Sequence, residues 1–295
     1  NLIVNVFYLI ISIFTGLGLF KIAKYLMPVK YAYFSALTFS ISSFFIWFNS
    51  SGLKESTMIF LITYTFLHYY NFLNKRSKKY LFYIAPFLIS LFLFRPVIVF
   101  IILGSILISS LLRSRGYSER ILAFVIIIAL IFGSNFLNEI YLKYLTGGEV
   151  SEMIASRETE GMVKGSVEFT YAVNTLAGLI GPFPNILPNI RPDLSFYSPG
   201  LIYKLLISIP FWFGVYYIFK RKMFLYYPIV LIVIIETVSL IFILEGLELR
   251  KSIPHFPFVY IVSFGFISYL DSFQNFNILQ RKNIYSLINI SFLLI

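Results

Sequence analysis

From Tyr80 to Leu112 the chain is apolar and uncharged except at Arg95, which is followed at once by Pro96. A single helix over this run would be roughly 50 Å long at 1.5 Å per residue, against a bilayer hydrocarbon core of about 30 Å. Proline disfavours helix in the residue before it. The run is also flanked by Lys75-Arg76-Ser77-Lys78-Lys79 and by Arg113-Ser114-Arg115, and basic flanks of membrane segments collect on one face. The pattern therefore predicts two short spans that enter and leave on the same side, with Arg95 at the turn on the other. Each half is only about 15 to 17 residues, so the turn is expected below the outer surface, with its guanidinium facing protein or trapped water. An arginine held there reads as a binding residue.

Composition places the whole chain in the class of polytopic membrane proteins. Hydrophobic residues make up 59% and aromatic residues 20% of the 295, more apolar surface than a soluble core of this length needs. The net charge of +11 does not point to nucleic acid, because the cations lie in short runs between apolar segments, as in the loops of membrane proteins. The absence of cysteine excludes disulfides and thiolate chemistry, and two histidines make a histidine-rich metal site a poor expectation. No phosphate-binding loop, dinucleotide fingerprint or hydrolase nucleophile elbow is present.

Apolar runs suited to helices are Leu2 to Phe20, Tyr31 to Phe48, Ser56 to Leu73, Tyr80 to Phe94, Pro96 to Leu112, Ile121 to Leu137, Leu201 to Phe219, Met223 to Leu244, Phe256 to Leu270 and an incomplete one from Ile284. The expected fold is all-α, a transmembrane helical bundle of about ten spans. Alternating sides put 15 of the 24 cations on one face and ten of the 13 acids on the other, an orientation with Asn1 outside. Three parts follow: a first helical bundle over 1–137, an outer loop over 138–200, and a second helical group over 201–295. The outer loop opens with a charged stretch. It continues through Phe169 to Gly181, too short to cross and read as an interfacial or re-entrant helix, and ends in a proline-rich path. Both chain ends fall within apolar runs, so further spans are expected upstream of Asn1.

Several charged residues fall on the predicted outer face. Ser51-Gly52-Leu53-Lys54-Glu55 joins two spans, and Glu55 at a helix start suits the macrodipole. Read one way this is a solvated cap; read with Arg95 it is a cation-lined pocket for a lipid phosphate or diphosphate. Arg250 and Lys251 lie in a loop that also holds Glu245, Glu248 and His255; they pair either with phosphate or with the neighbouring glutamates. Glu236 lies mid-span, where a carboxylate is costly unless paired, protonated or facing a cavity, and its partner is not legible. His68, beside Tyr69 and Tyr70, reads as interfacial packing.

The order of these features resembles the C-type (GT-C) superfamily of membrane glycosyltransferases that use polyprenyl-phosphate sugars, and related bacterial polysaccharide-assembly proteins. Ser51-Gly52-Leu53-Lys54-Glu55 is similar to the superfamily's outer basic–acidic motif. Leu93-Phe94-Arg95-Pro96 is similar to its arginine–proline turn, and Arg250 to Pro257 to its entry into a late span. The resemblance implies a multi-pass protein of the bacterial inner membrane that moves sugar from a polyprenyl-phosphate carrier to a glycan, lipid or protein acceptor at the outer face. It implies phosphate contacts from Arg95, Lys54, Arg250 and Lys251, and acceptor-orienting or base roles for Glu55, Glu158 and Glu160, with the main base expected upstream of Asn1. The cofactor is left open, a divalent metal included. A repeat-unit polymerase or ligase using the same cavity is one alternative. A lipid-linked oligosaccharide flippase or other transporter is another, and a non-catalytic assembly partner a third.

Overall fold

The computed structural model describes residues 2–50, 52, 54–113, 126, 197–242 and 255–272. Among these the chain is all-α, with no strand. The helices are α1 (Leu2–Leu26), α2 (Val29–Ser40), α3 (Ser43–Ser50), α4 (Lys54–Lys75), α5 (Lys79–Phe94), α6 (Pro96–Arg113), α7 (Tyr197–Lys220), α8 (Tyr227–Phe242) and α9 (Phe256–Ser272), with a 3-10 turn at Phe224–Tyr226 before α8. The run Tyr80–Leu112 is two helices, as its length and Pro96 require. Arg95 is extended (φ −160°, ψ 89°), and its N–H closes α5 on the Leu91 carbonyl at 2.8 Å. Pro96 then supplies the first residue of α6, where its missing N–H costs nothing.

The run Tyr31–Phe48, expected as one helix, is broken. α2 ends at Ser40, and α3 starts at Ser43. The Ser42 hydroxyl donates to the Phe39 carbonyl at 2.6 Å, a local side-chain bond that competes with continued helix. Phe39 and Phe45 close the bend, with ring centroids 4.6 Å apart.

Tyrosine hydroxyls tie six chain segments together at one end of the bundle. Tyr25 donates to Asn71 at 2.7 Å, Tyr226 to the Leu26 carbonyl at 2.8 Å and Tyr70 to the Leu225 carbonyl at 2.7 Å. Tyr31 donates to Asp271, and Tyr69 meets Ser110 at 3.4 Å. The end of α1, the start of α2 and the ends of α4, α6 and α9 therefore share this end with the α7–α8 turn. It carries Lys21, Lys24, Lys30, the Lys75–Lys79 turn, Arg113 and Lys220-Arg221-Lys222; we call it the basic end. The described basic loops thus gather together as the charge alternation predicts, and successive long helices run up and down.

Two described helices are long and apolar enough to cross a membrane, Val6–Leu26 and Pro96–Arg113; Lys79–Phe94, Leu206–Lys220, Phe224–Ser239 and Phe256–Ser272 are apolar but shorter. α4 packs along α5, α7 along α9, α1 on α2 and α4, and α8 on α6. Glycines stand at close approaches to α9 and from it. A Cβ on Gly214 of α7 would lie 3.1 Å from Val262 of α9, and one on Gly265 would lie 2.7 Å from the Tyr226 hydroxyl. Large apolar side chains such as Phe82, Leu93, Phe213 and Ile13 face outward, while buried serines and threonines bond the carbonyl a turn behind them (Thr15 to Ile11, Thr65 to Leu61, Ser263 to Val259). Large apolar side chains thus lie on the outer surface as well as in the core, where Tyr69, Tyr70, Phe66 and Phe258 are buried.

Candidate functional site

The end opposite the basic turns is set by the pairing of α4 with α5. Phe87 stacks on Tyr64 (5.7 Å between centroids) and touches Phe60 (6.3 Å), while His68 meets Tyr83 at 5.4 Å and Tyr80 at 6.3 Å. The helices are antiparallel, so the same register carried on to Arg95 brings it level with the first turn of α4, where Lys54 and Glu55 stand. Two sequence-predicted elements of the phosphate pocket, the arginine–proline turn and the basic–acidic motif, thus fall on adjacent helices at one height. Lys54 is exposed and Arg95 half-buried. Glu55 is only 5% exposed, so the solvated-cap reading fits Lys54 and fails for Glu55. Gly52 takes the left-handed conformation at φ 62° in the turn that delivers α4.

Glu236 acquires a partner. Its Oε2 lies 3.1 Å from Nδ1 of His255, with both side chains 4% exposed; the approach is close but off the line of a straight hydrogen bond. Chain register explains the meeting. Tyr226 seats on Gly265, and from that level both helices run the same ten residues, forward along α8 to Glu236 and back along α9 to His255. Each path rises about 15 Å, so the two side chains arrive at one height. His255, expected among the outer loop charges, is instead buried at the start of α9, against Phe256 (centroids 5.6 Å). The sequence signal was indirect. A mid-span carboxylate needs a partner, and His255 is one of two histidines, placed next to the helix-starting Phe256-Pro257.

Glu158 and Glu160, together with Arg250 and Lys251, lie outside the described residues, as do most of the outer loop over 138–200 and the expected spans Ile121–Leu137 and from Ile284. Among the described residues no group of three or more His, Asp or Glu side chains is placed to hold a metal. A cavity of about 640 Å³ lies between α1, α2 and α3, lined mainly by apolar side chains such as Leu9, Ile13, Leu17 and Leu37, with Ser12, Ser40 and Asn49 on its wall. Asn49 spends its amide on the Phe45 carbonyl at 2.6 Å. Among its lining residues there is no Asp, Glu, His, Lys or Arg.

No protein-family model, curated protein or solved structure matches the chain. Among the described residues the fold defines an all-α protein with two helices long and apolar enough to cross a membrane, and any finer identity rests on its own residues.

Proposed function

We propose that the chain is a multi-pass membrane protein of the bacterial inner membrane that moves sugar from a polyprenyl-phosphate carrier to an acceptor at the outer face. The observation that carries this reading is the break at Arg95, level with Lys54 and Glu55 at the end of the bundle away from the basic turns. Arg95 and Lys54 provide positive charge for the carrier phosphate, and the buried Glu55 provides a carboxylate within the same layer. In the transfer, an acceptor hydroxyl oxygen bonds to the anomeric carbon while the bond from that carbon to the phosphate oxygen breaks. The phosphate leaves with the electron pair, and the hydroxyl proton passes to a base. Fixed cations at the leaving oxygen favour that charge most in the transition state.

The shorter helices fit the same proposal. α5 is 16 residues, about 24 Å long, and with α6 it forms a hairpin whose tip carries Arg95. The test is transfer from polyprenyl-linked sugar in proteoliposomes, using the full-length protein and Arg95→Ala. Loss of most turnover at unchanged expression and folding is expected, and equal turnover would sink the phosphate role.

A second reading, a transporter of lipid-linked sugar, draws support from the Glu236–His255 pair, because transporters carry ionisable groups deep within the bundle. The proteoliposome assay separates the two: a transporter moves labelled carrier between leaflets without forming glycosylated acceptor.

A further inference from the structure

Among the described residues, two have positive φ without being glycine, Arg76 at 51° and Lys222 at 53°. Both sit at the position just past a helix end that glycine normally fills. Arg76 closes α4 with its N–H on the Phe72 carbonyl at 2.8 Å. Lys222 closes α7 in the two-bond form, with its own N–H on Phe219 at 3.2 Å and that of Met223 on Ile218 at 3.0 Å. A long side chain in this conformation is strained relative to glycine. The chain nevertheless places a cation at each, inside two short basic turns, Lys75-Arg76-Ser77-Lys78-Lys79 and Lys220-Arg221-Lys222. Every cation in these turns is exposed.

The two turns stand at the same end, linked by the Tyr70 bond to the Leu225 carbonyl. Aromatic rings sit beneath the cations: Lys75 and Lys79 lie 5.6 and 5.4 Å from the Tyr80 ring, and Lys220 and Arg221 lie 5.4 and 5.7 Å from Tyr216 and Tyr217. The Tyr80 hydroxyl, hydrogen-bonded to Lys75, holds that ammonium above its ordinary pKa, so it stays charged. Among the described residues the acid at this end is Asp271, which Tyr31 engages. Within a turn or two of the cations the surface becomes apolar, with Phe82, Tyr83, Phe219 and Leu225 exposed. Phosphate-sized charge above, hydrocarbon below and aromatic rings between is the profile of a lipid headgroup layer. A soluble acidic partner would match the cations and not the apolar band.

We infer that the two basic turns form a binding surface for anionic phospholipid headgroups, and that the cations at 76 and 222 are kept there at the expense of helix-end stability. The inference rests on the membrane reading of the fold. Its signature is opposite signs in two measurements on one variant. In Arg76→Gly/Lys222→Gly, relief of the left-handed strain raises the melting temperature by roughly 2–4 °C per site, while anionic-lipid preference falls roughly fivefold per cation removed. Arg76→Gln/Lys222→Gln keeps the strain, so it loses the preference without gaining stability.

The experiment reconstitutes the full-length protein in vesicles of equal phosphatidylglycerol and phosphatidylcholine, extracts it in neutral detergent, and counts retained lipids by native mass spectrometry. The expected result is a phosphatidylglycerol excess in the wild type that survives added inorganic phosphate and is lost in both variants. An unchanged lipid ratio in either variant overturns the inference, as does displacement of the lipid by polyglutamate. Failure to float with vesicles of either lipid would instead overturn the membrane reading itself.

Discussion

Replacing Glu236 by leucine leaves the His255 imidazole buried beside a carboxylate that is no longer there, and the mirror change His255→Leu strands the carboxylate. Both side chains are 4% exposed and 3.1 Å apart, so neither can turn to water for a substitute partner. The measurable quantity is the cost of breaking the pair, about 3–5 kcal/mol for either single change. Removing both polar groups together leaves nothing buried and unpaired, so Glu236→Leu/His255→Leu should lie within about 1–2 kcal/mol of the wild type. The double-mutant cycle then gives a coupling of at least about 4 kcal/mol. Equilibrium unfolding in mixed micelles, titrated with denaturing detergent, provides the four stabilities. Additive single changes, or single changes each below about 1 kcal/mol, would show that the two groups do not depend on one another and would remove the register account given for their meeting.

Since the chain has no cysteine, single cysteines report sidedness directly: membrane-impermeant reagent should label Lys78→Cys from one face of sealed vesicles and Lys54→Cys from the other, and labelling of both from one face contradicts the up-and-down order. Gly265→Leu drives a branched side chain into the Tyr226 ring and should cost about 1–3 kcal/mol, whereas Gly104→Leu, with open space at its Cβ, should leave unfolding stability nearly unchanged. His68 packs among Tyr80, Tyr83 and Phe87 with its Nδ1 buried and unbonded, so His68→Phe should raise stability by about 0.5–1 kcal/mol in the same titration; a loss would assign that nitrogen a role in function or folding.

The break at Arg95 was legible because its causes are local: proline acts on its own neighbour, and a 50 Å helix between two basic flanks conflicts with a 30 Å core. The gathering of basic turns was legible for a similar reason, since charge sidedness needs only the order of segments. The break between Ser40 and Ser43 was not. The apolar run passes through it without proline or charge, and what bends it is a serine hydroxyl turned onto the Phe39 carbonyl and a ring contact between Phe39 and Phe45. Hydrophobic pattern does not encode those. The pairing of Glu236 with His255 lay further out of reach, because it depends on how far α8 has slid along α9. That offset is fixed by Tyr226 settling on a glycine that nothing in the local sequence distinguishes from the other glycines.

Glu236 and His255 also constrain where α9 begins. The pair lies about 15 Å from the Tyr226 level, and Tyr226 is bonded into the basic end through the Leu26 carbonyl. α9 therefore starts part-way along the bundle, at the level of the Glu236 carboxylate. Arg95 stands further toward the far end, level with the start of α4, separated from the pair in height. The two polar features of the interior are thus distinct in depth and in the helices that carry them: α4, α5 and α6 for Arg95, α8 and α9 for the pair. Under the proposed transfer reaction, Arg95→Ala should therefore lower turnover with little effect on unfolding, and Glu236→Leu should change unfolding first. If Arg95→Ala lowered stability as much as Glu236→Leu and the two losses failed to add, the two features would be one network, and the separation by register would be wrong.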